Sequence, residues 1–259
     1  MIGIFDSGVG GLSVWREIHR LMPGESSLYF ADGAFCPYGP KDPAFIRERS
    51  AKISAYLIDR GAEIIVVACN TATAAAIGSL REKFEVPFVG MEPAIKPAAL
   101  HSRSGIVGVL ATAGTFRGRL YLDTLARFAG DVRVVEQVGE GLVEMIERGV
   151  FDSPEIDNLL HHHIDGMVAA GADHIVLGCT HYPFLEKAIR RIAGPEIVIV
   201  NPAPAIAAQT MRVLSQMREI FCGNGESLFC STGDMTILKM LVHSEIPDLD
   251  DSFFTEVVI

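Results

Sequence analysis

Residues 61–71 read GAEIIVVACNT, and residues 171–181 read GADHIVLGCTH. The offset between them is a constant 110 positions, with Gly61/Gly171, Ala62/Ala172, Ile65/Ile175, Val66/Val176 and Cys69/Cys179 identical. In each copy a short apolar run reaches a cysteine, a polar pair follows (Asn70-Thr71, Thr180-His181), and a helix-like pattern begins. Apolar runs of this length between helical segments read as strands of a parallel sheet, buried on both faces. The repeat extends further: IGIFDSG at 2–8 parallels VGVLATA at 107–113, and PAI recurs at 93–95 and 204–206.

Between these landmarks the alternation continues. SLYFA is followed by a loop and PAFIRERSAKISAYLIDRG, and EIIVVA by TATAAAIGSLREKF. In the second copy come FRGRLYLDTLARFA at 116–129, DVRVVE at 131–136, GLVEMIERG and SPEIDNLLHHHIDGMVAAG. The expected fold is α/β, with two pseudo-symmetric lobes, each a parallel sheet flanked by helices, and an active site in the cleft between them. Residues 1–95 with 207–259 form the first lobe and 96–206 the second. The last fifty or so residues, with SLFCST and FFTEVVI, return to complete the first lobe.

Bulk properties narrow the function. The 259 residues are 49% hydrophobic, enough for two lobes with cores of their own. A net charge of −10 opposes binding to phosphate backbones, so no nucleic-acid partner is expected. Runs such as IIVVA and IVIV are too short to cross a bilayer, and MIGIFDSG lacks the basic start and long apolar stretch of a signal peptide. With five cysteines in no close pairing, this points to reduced thiols in a cytoplasm.

A single cysteine after a buried strand is ordinarily a small core residue. Two at matching positions of a repeat, each followed by polar residues, are harder to explain that way. A structural disulfide does not suit a reducing compartment, and the spacing is not that of a metal site. Two thiols on opposite sides of a ligand suit proton transfer at a carbon stereocentre, one removing a proton and the other delivering one to the opposite face. A helix N-terminus at each corner favours a thiolate and attracts carboxylates, with Asn70 and Thr71 capping the first helix and Pro183 opening the second.

Other motifs rank lower. FDSGVGG at 5–11 is a tight turn or a small-anion site with Asp6 as an acid/base partner. Ser13 stands where a dinucleotide fingerprint needs its third glycine. The histidines at 161–163 point about 100° apart on a helix and do not converge on a metal. Cys36, Cys222 and Cys230 have no repeat partner and are taken as structural.

FDSGVGG (5–11), PYG (37–39), ACNTAT (68–73) and GCTHYPFL (178–185), in that order, resemble the cofactor-independent amino-acid racemases. CNTA with GCTHYP is similar to their glutamate racemase branch; in the aspartate branch the second motif typically carries Glu in place of His. The resemblance implies an isomerase that makes D-glutamate for peptidoglycan, with glutamate as substrate and no cofactor or metal. It implies Cys69 and Cys179 as the acid/base pair, with Asp6 assisting Cys69 and His181 assisting Cys179. Asp6, Ser7, Tyr38, Gly39, Asn70, Thr71, Thr180 and His181 fall on substrate-binding positions, and Thr112 and Thr115 on a threonine-bearing turn. Oligomeric state is open, a homodimer included. Racemisation of aspartate or a hydantoin, or amino-acid binding without catalysis, remain as alternatives.

The chain departs from the family pattern at several points. Phe35 replaces an arginine before PYG, and Gly139-Glu140 stand where Cys-Pro is common. Glu144 replaces a later proline, and Asn201 an aspartate. These changes leave Glu147, which matches the family's glutamate, outside the expected site.

Overall fold

The computed structural model of the chain describes residues 1–128, 130 and 132–259. Two compact units emerge, Met1–Met91 with Ala203–Ile259, and Glu92–Pro202. The first unit opens with β1 (Ile2–Asp6), α1 (Leu12–Leu21), β2 (Ser27–Ala31), a 3-10 turn (Gly33–Phe35), α2 (Pro43–Asp59), β3 (Ile64–Val67), α3 (Asn70–Lys83) and β4 (Phe88–Gly90). The second comprises α4 (Ile95–His101), β5 (Ile106–Ala111), α5 (Ala113–Phe116), α6 (Arg119–Phe128), β6 (Arg133–Val138), α7 (Leu142–Glu147), α8 (Pro154–Ala169), β7 (His174–Gly178), a 3-10 turn (Tyr182–Leu185), α9 (Glu186–Ala193) and β8 (Val198–Val200). The chain then rejoins the first unit through α10 (Ala203–Ser215), β9 (Ser227–Ser231), α11 (Thr236–Glu245), a 3-10 turn (Asp251–Phe253) and β10 (Phe254–Glu256).

All strand pairs are parallel. The first unit carries a six-stranded sheet ordered β10-β9-β2-β1-β3-β4, the second a four-stranded sheet ordered β6-β5-β7-β8. The sequence repeat therefore survives as topology: β2-β1-β3-β4 and β6-β5-β7-β8 follow one pattern. It survives as register too. Ile4 sits beside Val66 and Val109 beside Val176, and these are the residues that the two halves of the repeat match. A one-residue slip would turn every side chain to the other face, so matched registers place matched side chains.

The central strands are apolar because both faces are covered. β1, β3 and β7 are buried throughout, while the edge strand β6 is half-exposed. Phe5, Phe30, Leu57, Ile65 and Val67 share one core cluster in the first unit, and Val107, Val109, Tyr121 and Val176 share one in the second. Among the described residues no helix is long and apolar enough to cross a membrane.

Some local expectations change. The helix expected over 116–129 begins only at Arg119, because Phe116 closes the separate short helix α5 and Gly118 falls between the two. Ala129 and Asp131, the last residue of that expected helix and the first of the expected strand over 131–136, lie outside the described residues. Both unit boundaries fall a few residues ahead of those read from the sequence. At the second, α10 begins at Ala203 and packs against α1 of the first unit.

Candidate active site

β1 ends in Asp6, and the chain turns through Ser7–Gly11 into α1. The Asp6 carboxylate is fully buried and organises this turn: Oδ1 accepts from the Ser7 N–H at 2.7 Å and Oδ2 from the Gly11 N–H at 2.6 Å. The turn thus places the Ser7 and Gly11 N–H groups on its own carboxylate. A Cβ at Gly11 would stand 2.8 Å from Asp6 Cβ and 2.9 Å from the Tyr29 hydroxyl, so the close approach needs glycine there. Ser7 Oγ lies 3.9 Å from Cys69 Sγ and 4.0 Å from Cys36 Sγ.

Cys69 follows β3 and is itself the N-cap of α3. Its Sγ accepts from the Ala72 N–H at 3.4 Å, so Asn70 and Thr71 occupy the first helical positions rather than capping the helix. A sulfur in the N-cap position faces the positive end of the helix field, which favours a thiolate. Asn70 is buried next to it, and among the described residues neither its Oδ1 nor its Nδ2 has a hydrogen-bond partner. An orphaned buried amide is costly in a folded chain and usually has a functional reason. The Thr73 hydroxyl ties the same helical turn to the sheet, donating to the Val67 carbonyl at 3.1 Å and accepting from the Met91 N–H at 3.0 Å. Tyr38 packs in the same core cluster as Cys69, with Gly39 half-buried beyond it. The Tyr38 phenol is held far above its usual range by burial first, then by Asp32, with a contribution from Cys69.

In the second unit Cys179 follows β7, but its corner differs. A 3-10 turn containing Pro183 comes first, with the Tyr182 N–H donating to the Cys179 carbonyl at 3.2 Å, and α9 begins only at Glu186. The expected helix N-terminus is therefore displaced from this thiol. A histidine stands beside it: His181 Nδ1 lies 3.7 Å from Cys179 Sγ, and His181 Nε2 lies 2.6 Å from Glu147 Oε1. An ionised carboxylate only accepts, so in the neutral imidazole the pairing puts the ring proton on Nε2 and leaves the Nδ1 lone pair toward sulfur. Thr180, His181 and Cys179 are all buried.

Glu147, left out of the expected set because of the changes ahead of it, is thus joined to His181. Its signal in the sequence was its match to the family's glutamate. The changes at Gly139-Glu140 have a local account. The Tyr182 hydroxyl donates to the Gly139 carbonyl at 3.2 Å, and a Cβ at Gly139 would stand 2.4 Å from that hydroxyl. His163, buried on α8, bonds the Glu140 carbonyl at 2.9 Å and the Gln137 side chain at 3.1 Å. His161 instead faces Asp165 at the surface, while the His162 ring lies edge-on to that of His163, their centroids 5.1 Å apart. Burial first, then Cys179, raises the Tyr182 phenol well above its usual range. Thr112 caps α5 through Thr115, their hydroxyls 2.9 Å apart, at the turn that corresponds to Asp6–Gly11 in the first unit.

None of the five cysteines is in a disulfide. Parallel sheets with a thiol at the same strand end of each repeat place the chain in a class of α/β proteins that carry one cysteine at the matching corner of each half. The family profile described as Asp/Glu/Hydantoin racemase matches residues 2–210, and the chain belongs to that family. Within it, curated relatives at 44–49% identity are glutamate racemases. The one from Roseiflexus sp. (strain RS-1) is 49% identical over 93% of this chain and 90% of its own length. The one from Pseudomonas putida KT2440 is also 49% identical, over 93% and 92%. Among solved structures, the Bacillus anthracis glutamate racemase isoform RacE1 superposes with a TM-score of 0.88 at 28% identity, covering 100% of this chain and 97% of that one. The Escherichia coli enzyme, in complex with L-glutamate and the activator UDP-MurNAc-Ala, does so with a TM-score of 0.85 at 32% identity, covering 98% and 96%.

Proposed function

We propose that the chain interconverts L- and D-glutamate by proton transfer between two thiols, supplying D-glutamate for peptidoglycan in the cytoplasm. In the D-to-L direction, the Cys69 thiolate takes the α-proton and the Cα–H electron pair passes into the α-carboxylate. The Cys179 thiol then delivers its proton to the opposite face of the same carbon. The enzyme ends with Cys69 protonated and Cys179 as thiolate, so the reverse reaction starts from Cys179. No electrons leave the substrate, and the thiols need no redox partner.

What carries this reading is the pair of cysteines at repeat-matched strand ends, each in a setting that handles protons. A free thiol has a pKa near about 8.5, so only a few per cent is thiolate at neutral pH. Lowering it by about 1.5 units takes roughly 2 kcal/mol. The helix N-terminus at Cys69 supplies a stabilisation of that order, and the His181–Glu147 pair supplies a base at Cys179. Acid/base catalysis contributes about 10²–10⁴-fold, and the weak carbon acid demands more, from hydrogen-bond donors on the α-carboxylate. Asn70, with one donor group and one acceptor, suits a ligand that bears both a carboxylate and an ammonium. Asp6, Ser7, Tyr38, Gly39, Thr71, Thr180 and His181 complete the proposed contacts, with Thr112 and Thr115 as further candidates.

The glutamate racemases among its relatives favour glutamate over aspartate or a hydantoin. The deciding experiment is exchange of the Cα proton of L- and D-glutamate in heavy water, with chiral detection and an aspartate control. Exchange with inversion of both glutamate enantiomers is expected. Binding without exchange would leave a non-catalytic amino-acid binder, and preferential turnover of aspartate would overturn the substrate assignment.

A further inference from the structure

Arg49 stands where its helix should be apolar. The buried positions of α2 are Ile46, Arg49, Ser50, Ile53, Ser54 and Leu57, the stripe that a helix turns toward its core. A guanidinium is tolerated in such a stripe only when it is paired and hydrogen-bonded. Arg49 meets that condition in full. Nε donates to Asp32 Oδ2 at 3.0 Å and Nη2 to Asp32 Oδ1 at 2.7 Å, a bidentate pair. Nη1 donates to the Ile259 carbonyl at 2.8 Å, and the guanidinium carbon lies 4.3 Å from the centroid of the Phe35 ring.

Asp32 gathers the neighbouring loop around this pair. It is fully buried just past the end of β2, and beyond Arg49 it accepts from the Tyr38 hydroxyl on Oδ2 and from Thr232 Oγ1 on Oδ1 at 3.0 Å. Thr232 Oγ1 in turn accepts from the Ala34 N–H at 3.2 Å. Each carboxylate oxygen thus receives two donors, and the Tyr38 proton is committed to Asp32. The segment 33–39 is tied at Ala34 by Thr232, at Phe35 by the guanidinium face and at Tyr38 by the carboxylate. Its far end carries Tyr38 into the core cluster that contains Cys69. The family's arginine before PYG is absent here, and Phe35 at that position instead packs against an arginine from α2.

We propose that Arg49 is a positioning residue for the Cys69 corner: through Asp32 it fixes the Tyr38 hydroxyl and the 33–39 segment beside that thiol. It touches no substrate itself. The inference rests on the racemase reading for its consequence in catalysis, but the geometry of the corner can be read without turnover.

The test uses Arg49→Met, Arg49→Lys and Tyr38→Phe in the full chain, with fold checked by circular dichroism. Thiol reactivity toward iodoacetamide is measured residue by residue through peptide mass, alongside glutamate racemisation. In Arg49→Met the alkylation rate at Cys69 should change by about fivefold or more while that at Cys230, buried in the same unit, stays within about twofold. Racemisation should fall about tenfold or more, and Arg49→Lys, which keeps the charge but not the fork, should recover part of both effects. Arg49→Met combined with Tyr38→Phe should cost no more than the worse single change, because both act through one linkage. Equal changes at Cys69 and Cys230 would reduce Arg49 to a stabiliser of its unit and overturn the proposal, as would unchanged labelling and activity in Arg49→Met. If Arg49→Met does not fold, Arg49→Lys is judged by the same comparison of Cys69 with Cys230. Wild type that labels as expected but does not racemise glutamate would sink the functional reading and leave the positioning result standing.

Discussion

His181 Nε2 and Glu147 Oε1 lie 2.6 Å apart, on elements separated by more than thirty residues of chain. Because the other ring nitrogen faces Cys179 Sγ at 3.7 Å, the carboxylate sets which nitrogen can take the thiol proton. Glu147→Gln keeps an acceptor for Nε2–H but removes the charge that stabilises an imidazolium. The expected loss is about 10²–10⁴-fold, the upper end being that of a carboxylate that orients a catalytic histidine, and it should fall on abstraction from the enantiomer served by Cys179, by resemblance L-glutamate. Deuterium wash-in from L-glutamate, compared with wash-in from D-glutamate, reads it. A Glu147→Gln variant with wild-type wash-in from both would show that the pair is structural.

The thiols carry the sharpest expectation. Cys69→Ala and Cys179→Ala should each nearly abolish racemisation while leaving the fold intact, since both are small residues at strand ends and the lost volume is slight. Cys→Ser variants should impair the two partial reactions unequally, because each group works on one face. Racemisation at the wild-type rate by the double alanine variant would refute the two-thiol mechanism.

Away from the site, pH dependence of stability is expected from Glu63. Its carboxyl is pulled down to about 2, chiefly by hydrogen bonds from Arg218, against an opposing desolvation effect, with the amino group of Met1 adding to it. A folded pKa below the unfolded one means stability that is present above the unfolded pKa, near about 4.5, and lost as pH falls toward the folded value. The group is one-third exposed, so solvent screening cuts the contribution to about 1–2 kcal/mol. Thermal unfolding of wild type and Glu63→Gln should therefore differ by a few degrees at pH 7, with the gap narrowing as pH drops from 5 toward 3. A gap that stays constant across that range contradicts the assignment.

The repeat made most of the fold legible, because strand pairing follows period and register and both halves share them. Ile4 and Val109, and Val66 and Val176, were matched by the repeat in short apolar runs, and the structure pairs Ile4 with Val66 and Val109 with Val176. What the sequence concealed depends on tertiary contacts. Cys69 caps its own helix because its thiol reaches the Ala72 N–H, whereas Asn70 and Thr71 are better caps by residue type. The second corner has no matching helix start, since Pro183 and the tight turn after Cys179 delay α9. Asp32 and Arg49 were hidden because a charged pair in a buried stripe reads, one residue at a time, as a loop acid and a surface base.

The last expectation concerns how Asp6 and His181 share the work. If each tunes only its own thiol, Asp6→Asn should slow abstraction from D-glutamate, and His181→Asn abstraction from L-glutamate. The structure adds a complication for Asp6, whose carboxylate accepts from the Ser7 and Gly11 N–H groups. An asparagine there turns one acceptor into a donor facing an N–H, which costs about 1–3 kcal/mol of stability and loosens the turn beside Cys69. The folded fraction of each variant must therefore be measured first. For mirror-image substrates the equilibrium constant is one, so kcat/KM must fall equally in both directions whatever the variant does. Asymmetry can appear only in kcat and KM separately, or in deuterium wash-in before turnover. A loss of about 10²-fold in one abstraction step fits an acid/base role, whereas equal weakening for both enantiomers fits carboxylate binding alone. Deuterium incorporation from each pure enantiomer, corrected for folded fraction, separates the two. Identical patterns in Asp6→Asn and His181→Asn would overturn the assignment of one helper to each thiol.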